Sequence, residues 1–273
     1  ELTQEQELGQ LRQDIDQIDQ QIQSLINQRA ACAQRVAQVK QVYQGHQDAV
    51  FYRPEREAQV LRRVMERNQG PLDDEEMARL FRELMSACLA HEQPMRIAFL
   101  GPQGTFTQAA ALKHFGHSVI SAPLTSIDEV FREVEAKSAH YGVVPIENSS
   151  EGMINHTLDS FRHSSLVICG EVEMRIHQNL LVKYNTDVSQ VERIYSHSQS
   201  LAQCRSWLDN HMPQAERFAV SSNAEAARRV AKEEEVSAGK VAAIAGLMAA
   251  ELYELEVKHA NIEDQPDNTT RFL

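Results

Sequence analysis

Arg96-Ile-Ala-Phe-Leu-Gly-Pro-Gln-Gly-Thr-Phe-Thr-Gln108 is the stretch on which the reading of this chain turns. Ile97 to Leu100 has the composition of a buried strand, Gly101-Pro102 of a tight turn, and a helix is entered at Thr105 or Thr107. Unpaired N–H groups at such a helix start attract anions. Taken alone, the segment is an ordinary strand–helix connection. It lacks the Gly-Lys-Ser/Thr of a phosphate-binding loop and the G-x-G-x-x-G of a dinucleotide site. The residues before it are helical in pattern; those after Gln108 alternate between strand and helix.

The chain has 273 residues, a length suited to about two domains. A hydrophobic content of 42% suffices for an ordinary core, and a net charge of −12 argues against a nucleic acid or an anionic membrane as partner. It does not exclude small anions, which local arginines can bind. No run of about 18 apolar residues is present, so no membrane span is expected. Glu1–Gln10 is polar and lacks the apolar core of an export signal. Cys32, Cys88, Cys169 and Cys204 form no C-x-x-C and read as reduced thiols, which leads to an expected cytoplasmic location.

A stripe at three- and four-residue spacing runs through Leu8, Leu11, Ile15, Ile18, Ile22, Leu25, Arg29, Cys32, Val36 and Val39; nine of these ten are apolar. It predicts one long helix whose seam needs other helices, and hence a homodimer through that helix. Arg29 interrupts the seam. A buried arginine is costly unless neutralised, by an internal ion pair or by a ligand carboxylate. Arg12 and Lys40 flank the same seam. A connector over 41–53 contains Gly45, a second helix starts at Pro54 and ends near Asn68, and a third opens at Asp73 with Glu76 three residues on. The third stripe ends on Cys88 and Glu92. No hydrolytic triad or metal-ligand spacing occurs here.

Leu11-Arg-x-x-Ile-x-x-Ile-Asp19, Arg29, Lys40 and Arg56-Glu57, together with the third helix, resemble the all-helical class of chorismate mutase over about residues 6–93. The resemblance implies a three-helix domain over 1–93 that intertwines with a second copy. It implies that Arg12, Arg29, Lys40 and Arg56 hold the carboxylates and ether oxygen of chorismate, and that Glu57 binds the ring hydroxyl. Arg12 would serve the partner's site. The rearrangement is pericyclic and needs no nucleophile; it needs a dianion held compactly and positive charge where the C–O bond breaks. Arg53 and Glu92 depart from the family pattern, Glu92 standing where many members carry a glutamine. A carboxyl donates to the ether oxygen only when protonated, so a raised Glu92 pKa and an activity that falls with rising pH are expected.

Beyond Pro94 the pattern predicts strands at 96–100, 118–121, 141–146, 167–173, 179–183, 193–196, 217–220 and 241–244. Helices are predicted at 107–115, 126–136, 154–163, 200–210, 224–232 and 246–252. This is an α/β alternation, arranged in lobes that would flank a cleft. Polar clusters lie at strand ends: Glu147-Asn-Ser149, Ser196-His-Ser-Gln199, Ser221-Ser-Asn223 and Asn268-Thr-Thr-Arg-Phe272. Each alone is ordinary helix capping. Together they suit a polar anion. His197 and Ser198 form no persuasive base–nucleophile pair.

Gly101-Pro-Gln-Gly-Thr-Phe-Thr107, Val144-Pro-Ile-Glu-Asn-Ser149, Ser196-His-Ser-Gln199 and Thr270-Arg-Phe272 resemble prephenate dehydratase, with Ser198 where the family has proline. The resemblance implies a domain over 94–273 of two α/β lobes, about 95–175 plus the C-terminal end and about 176–255. Such a domain is similar to the type II periplasmic binding proteins. It ties Thr270 to catalysis and places Thr105, Glu147, Asn148, Ser149, Gln199 and Arg271 in the prephenate site. No cofactor or metal is implied. Thr270 would hydrogen-bond the departing hydroxide as CO2 leaves and phenylpyruvate forms. The two halves then make and consume one intermediate. Family members usually continue past the Thr-Arg-Phe motif into a phenylalanine-sensing ACT domain. The chain stops at Leu273, so weak or absent phenylalanine inhibition is expected. The competing readings are a small-anion binding protein, and a helical part that serves only to dimerise.

Overall fold

The computed structural model describes residues 3–44, 52–233 and 239–273. Its contacts divide the chain into two compact units, Glu1–Pro94 with Phe115–Val119, and Met95–His114 with Ile120–Leu273. No helix among the described residues is long and apolar enough to cross a membrane.

The helical unit consists of α1 (Gln4–Gln44), α2 (Pro54–Arg67) and α3 (Asp74–Glu92). At 1.5 Å per residue, the 41 residues of α1 extend about 60 Å. Helix thus replaces the expected connector through Gln44; Gly45 to Phe51 lie outside the described residues. Asp73 caps α3 by accepting the Glu76 N–H at 2.7 Å. The Glu76 carboxylate turns to Arg79 at 2.6 Å, so the cap is one-sided. Helix α3 packs on both α1 and α2, burying Ala37, Leu61, Val64, Ala78 and Cys88. The N-terminal seam of α1 stays bare, with Leu11 57% and Leu25 62% exposed.

In chain order the α/β unit runs β1 (Arg96–Leu100), α4 (Phe106–Phe115), β2 (Ile120–Leu124), α5 (Ile127–Glu135), β3 (Tyr141–Val143), β4 (Pro145–Asn148), β5 (Gly152–Met153) and α6 (Asn155–His163). It continues with β6 (Val172–Arg175), β7 (Asn179–Val182), a 3-10 turn (Val188–Gln190), β8 (Arg193–His197), α7 (Ser198–Gln203), α8 (Arg205–His211), β9 (Glu216–Val220) and α9 (Asn223–Lys232). Then come β10 (Val241–Ala245), α10 (Leu247–Leu252), β11 (Glu256–His259) and β12 (Thr269–Phe272). The first lobe holds a parallel sheet ordered β2-β1-β3 and an antiparallel one ordered β5-β4-β12-β6; the second holds a five-stranded sheet ordered β11-β7-β10-β8-β9.

Strand β1 is central to its sheet, and Ile97, Ala98 and Phe99 have no accessible surface. Helix α4 begins after Thr105, and the Gln108 side chain reaches back to the Gly104 N–H at 2.7 Å. The run 141–146, expected as one strand, divides at Val144. That residue exchanges backbone bonds of 3.0 and 2.9 Å with Leu273, so the chain leaves the parallel sheet and enters the antiparallel one. The expected strand 167–173 starts only at Val172. Val167 is 83% exposed, and the Ser164 hydroxyl takes the Leu166 N–H at 3.1 Å, a local bond that competes with sheet pairing. The expected helix 200–210 breaks at Cys204. The Asp264 carboxylate accepts the Ser206 and Trp207 N–H groups at 2.9 and 3.0 Å, which gives α8 an N-terminus of its own. In the second lobe Leu180, Ile194, Leu208 and Ile244 fill one face of the sheet, and Leu181, Val230 and Val241 the other.

Candidate active sites

In the helical unit, Glu92 sits half-buried at the end of α3, within electrostatic reach of Lys40 and Arg29 on α1. Burial pushes its carboxyl above the usual range, and the two cations offset only part of that. Arg29 is itself half-buried and makes no ion pair within 4.0 Å among the described residues. On α2, Glu57 lies 3.7 Å from the Nε of Arg82 on α3, and burial pushes its carboxyl up to about 6 despite that arginine. Arg82 Nε is buried without a hydrogen-bond partner among the described residues. No local pattern marked Arg82, which is one charged residue among several on α3. Arg53 and Arg56 are exposed at the start of α2. Arg12 is exposed and lies 17 residues before Arg29 on the same helix, about 26 Å away along its axis. One chain therefore gathers Arg29, Lys40 and Glu92, and pairs Glu57 with Arg82, but leaves Arg12 remote.

The α/β unit holds a cleft of about 470 Å³. Thr105, Asn148, Gln199 and Thr270 line it. Among the described residues, no lysine or arginine lines it, and Glu151 is the only lining carboxylate and His197 the only lining imidazole. An anion there meets hydroxyls, amides and the first turns of α4 and α9.

The orientation of the hydroxyl and amides at the base of the cleft is set by the backbone. The Ser150 N–H donates to Asn148 Oδ1 at 3.0 Å, which fixes the other end of that amide as the donor. Asn148 Nδ2 then donates to Thr270 Oγ1 at 2.8 Å and to Asn268 Oδ1 at 3.0 Å. Thr270 is an acceptor in this bond, so its own proton is free to be donated. Asn148 and Thr270 face each other because β4 and β12 pair in that register.

Strand alternation sends the neighbours of these residues to the other face. Arg271 donates to Glu147 at 3.0 Å and, through Nε and Nη2, to Glu171 at 2.9 Å each. Glu147 and Arg271 are thus matched to each other outside the cleft lining, where they tie β12 to β4 and to the segment before β6. Ser149 also lies off the lining; its hydroxyl accepts the Thr269 N–H at 2.9 Å and donates to Asn268 at 3.3 Å. On the opposite wall Asn223 Oδ1 accepts the His197 N–H and the Ser196 hydroxyl at 3.1 Å each, and its Nδ2 donates to Ser200 at 2.8 Å and Gln178 at 3.3 Å. Ser198 is exposed at the start of α7 and lies outside the cleft lining.

Residues 11–93 match the family model of chorismate mutase type II, and residues 97–273 that of prephenate dehydratase. A bifunctional chorismate mutase/prephenate dehydratase of Pseudomonas aeruginosa is 61% identical over 268 residues, 98% of this chain and 72% of that protein. The chain belongs to the bifunctional chorismate mutase/prephenate dehydratase family. The Escherichia coli protein of the same description is 31% identical, over 100% of this chain and 73% of its own. A prephenate dehydratase from Arthrobacter aurescens, solved with L-Phe, superposes with a TM-score of 0.60 at 36% identity, over 65% of this chain and 59% of that one. The mutase match falls within the helical unit that gathers Arg29, Lys40 and Glu92. The dehydratase match spans the cleft. Asn223 and Asn268 stood in polar clusters that the sequence displays, but the dehydratase motifs by themselves did not single them out. Gln178, only 1% exposed, carried no local signal.

Proposed function

We infer that this chain is a bifunctional enzyme of phenylalanine biosynthesis. It rearranges chorismate to prephenate in its helical unit, then converts prephenate to phenylpyruvate in its α/β cleft. The observation that carries the second step is the Thr270 hydroxyl, which accepts from Asn148 and keeps its own proton to donate, at the base of a cleft that hydroxyls and amides help to line. As the C–C bond to the departing carboxylate breaks, its electron pair enters the ring, and the ring C–O bond releases hydroxide. Aromaticity drives the step. The Thr270 O–H donates to the departing oxygen as its charge grows, and Asn148 holds that hydroxyl in place. Thr105, Gln199 and the helix starts bind the substrate; Glu147, Ser149 and Arg271 support the strands that carry Thr270.

In the helical unit Arg29 and Lys40 neutralise the substrate dianion, Arg56 adds charge at the mouth, Glu57 accepts from the ring hydroxyl, and protonated Glu92 donates to the ether oxygen. The α1 seam and the remoteness of Arg12 support a homodimer in which a second copy of α1 covers the exposed leucines and isoleucines and supplies Arg12. Four unpaired cysteines support a reducing, cytoplasmic location. One assay tests the whole reading: supply chorismate, and monitor its loss together with the appearance of phenylpyruvate. A protein that only binds anions gives neither change. A helical unit that only dimerises gives phenylpyruvate from added prephenate and none from chorismate.

A further inference from the structure

Asn268 is 3% exposed and lines the cleft beside Thr270. Its side-chain oxygen is crowded with donors, receiving Asn148 Nδ2 at 3.0 Å and the hydroxyls of Ser149 and Ser150 at 3.3 and 3.4 Å. Two backbone groups fix this arrangement. The Ser150 N–H orients the Asn148 amide, and the Thr269 N–H occupies the Ser149 oxygen at 2.9 Å, so the Ser149 proton must point elsewhere. Turning the Asn268 amide over would set its NH2 against that of Asn148. Its Nδ2 therefore faces away from the network, and it is a buried donor without a partner among the described residues. Such a group costs stability when nothing satisfies it, and in the lining of a cleft a bound molecule can supply the missing acceptor.

We propose that Asn268 Nδ2 is a second hydrogen-bond donor to the departing ring oxygen of prephenate, working as a pair with the Thr270 hydroxyl. The proposal rests on the inferred dehydratase function and adds a residue to it. Asn268 immediately precedes β12, its carbonyl accepts the Ile176 N–H at 2.8 Å, and it lines the cleft together with Thr270 two residues on. One amide, that of Asn148, donates to both oxygens, so a single bonded group sets their spacing. The chemistry selects the oxygen served. The carboxylate that leaves as CO2 loses its charge, so donors aimed at it would hold the ground state back. The departing hydroxide gains charge, and buried donors placed there stabilise the transition state more than the substrate.

Asn268→Asp separates donor from scaffold, because it keeps an acceptor for Asn148, Ser149 and Ser150 and removes the NH2. The expected result is a fall in kcat for prephenate of about 100- to 1000-fold with KM little changed, as for loss of one oxyanion donor. A protonated carboxyl donates again, so the ratio of variant to wild-type kcat should rise as pH falls. Thermal melting checks the fold. If Asn268→Asp is unfolded, Asn268→Ala serves, with the same selective loss in kcat expected and no recovery at low pH. A kcat within threefold of wild type in a folded variant overturns the proposal. So does a loss shared by kcat and KM, with a lowered melting point and no pH recovery, which marks a scaffold residue. Failure of the dehydratase function itself looks different: wild type leaves prephenate unconverted, or Thr270→Val keeps full kcat.

Discussion

Replacing Thr270 by valine keeps the shape of the side chain and removes its hydroxyl, with one structural and one catalytic effect. The structural effect is small. Asn148 Nδ2 loses its 2.8 Å acceptor but keeps Asn268 Oδ1 at 3.0 Å, so the amide is not orphaned. Losing one of two such bonds costs about 1 kcal/mol. For a unit of this size that lowers the melting temperature by about 2–4 °C. The catalytic effect is larger. A donor facing a developing oxyanion is worth about 3–4 kcal/mol, so kcat should fall about 100- to 1000-fold. The catalytic loss exceeds the structural one by at least twofold in free energy, and it should fall on kcat rather than on KM. Steady-state phenylpyruvate formation over a range of prephenate, with thermal melting of the same samples, measures both. Thr270→Ser, which restores the O–H, should recover most of the rate. A valine variant with unchanged kcat and a raised KM would refute the assignment. So would a melting point so low that lost folding explains the lost rate.

Four further outcomes are expected. Wild-type mutase activity should decline as pH rises through the elevated pKa of Glu92, since only the protonated carboxyl donates; Glu92→Gln should be flat over that range, and a shared profile would exclude the idea. Glu57 binds its proton more tightly folded than unfolded, so its contribution to stability is lost as pH climbs from 4.5 to about 6 and stays lost above. The cost approaches about 2 kcal/mol, and Glu57→Gln should melt higher than wild type at pH 8 but not at pH 4.5. Equilibrating inactive Arg12→Ala with inactive Arg29→Ala should restore mutase activity to about a quarter of the wild-type level, because half the dimers are mixed and each holds one intact site; no recovery would mean each site is built within one chain. In Gly246→Ala the new Cβ would lie 2.7 Å from the Phe106 ring, which lines the cleft. Displacement of that ring should raise KM for prephenate, and an unchanged KM would show that the ring yields freely.

Much of the architecture is a matter of local pattern. The three- and four-residue stripe of α1, the proline that opens α2, Asp73 before α3 and the strand–turn–helix at 96–108 each state their geometry within a dozen residues, because helix and strand periodicity depend only on near neighbours. The bare seam of α1 likewise announces a need for other helices. Tertiary structure alone decided which residues meet. Val167 and Ile168 have a strand's composition but join no sheet among the described residues, while Thr269–Phe272 becomes a strand because β4 and β6 offer it two open edges. Thr270 and Asn148 lie 122 positions apart, and the register between their strands turns the pair into the cleft and sends Arg271 and Glu147 to the opposite face. The lone donor of Asn268 is visible only once every neighbouring donor and acceptor has been counted. A hydrogen-bond partner at that separation is set by how sheets close on one another, and no periodicity along the chain records it.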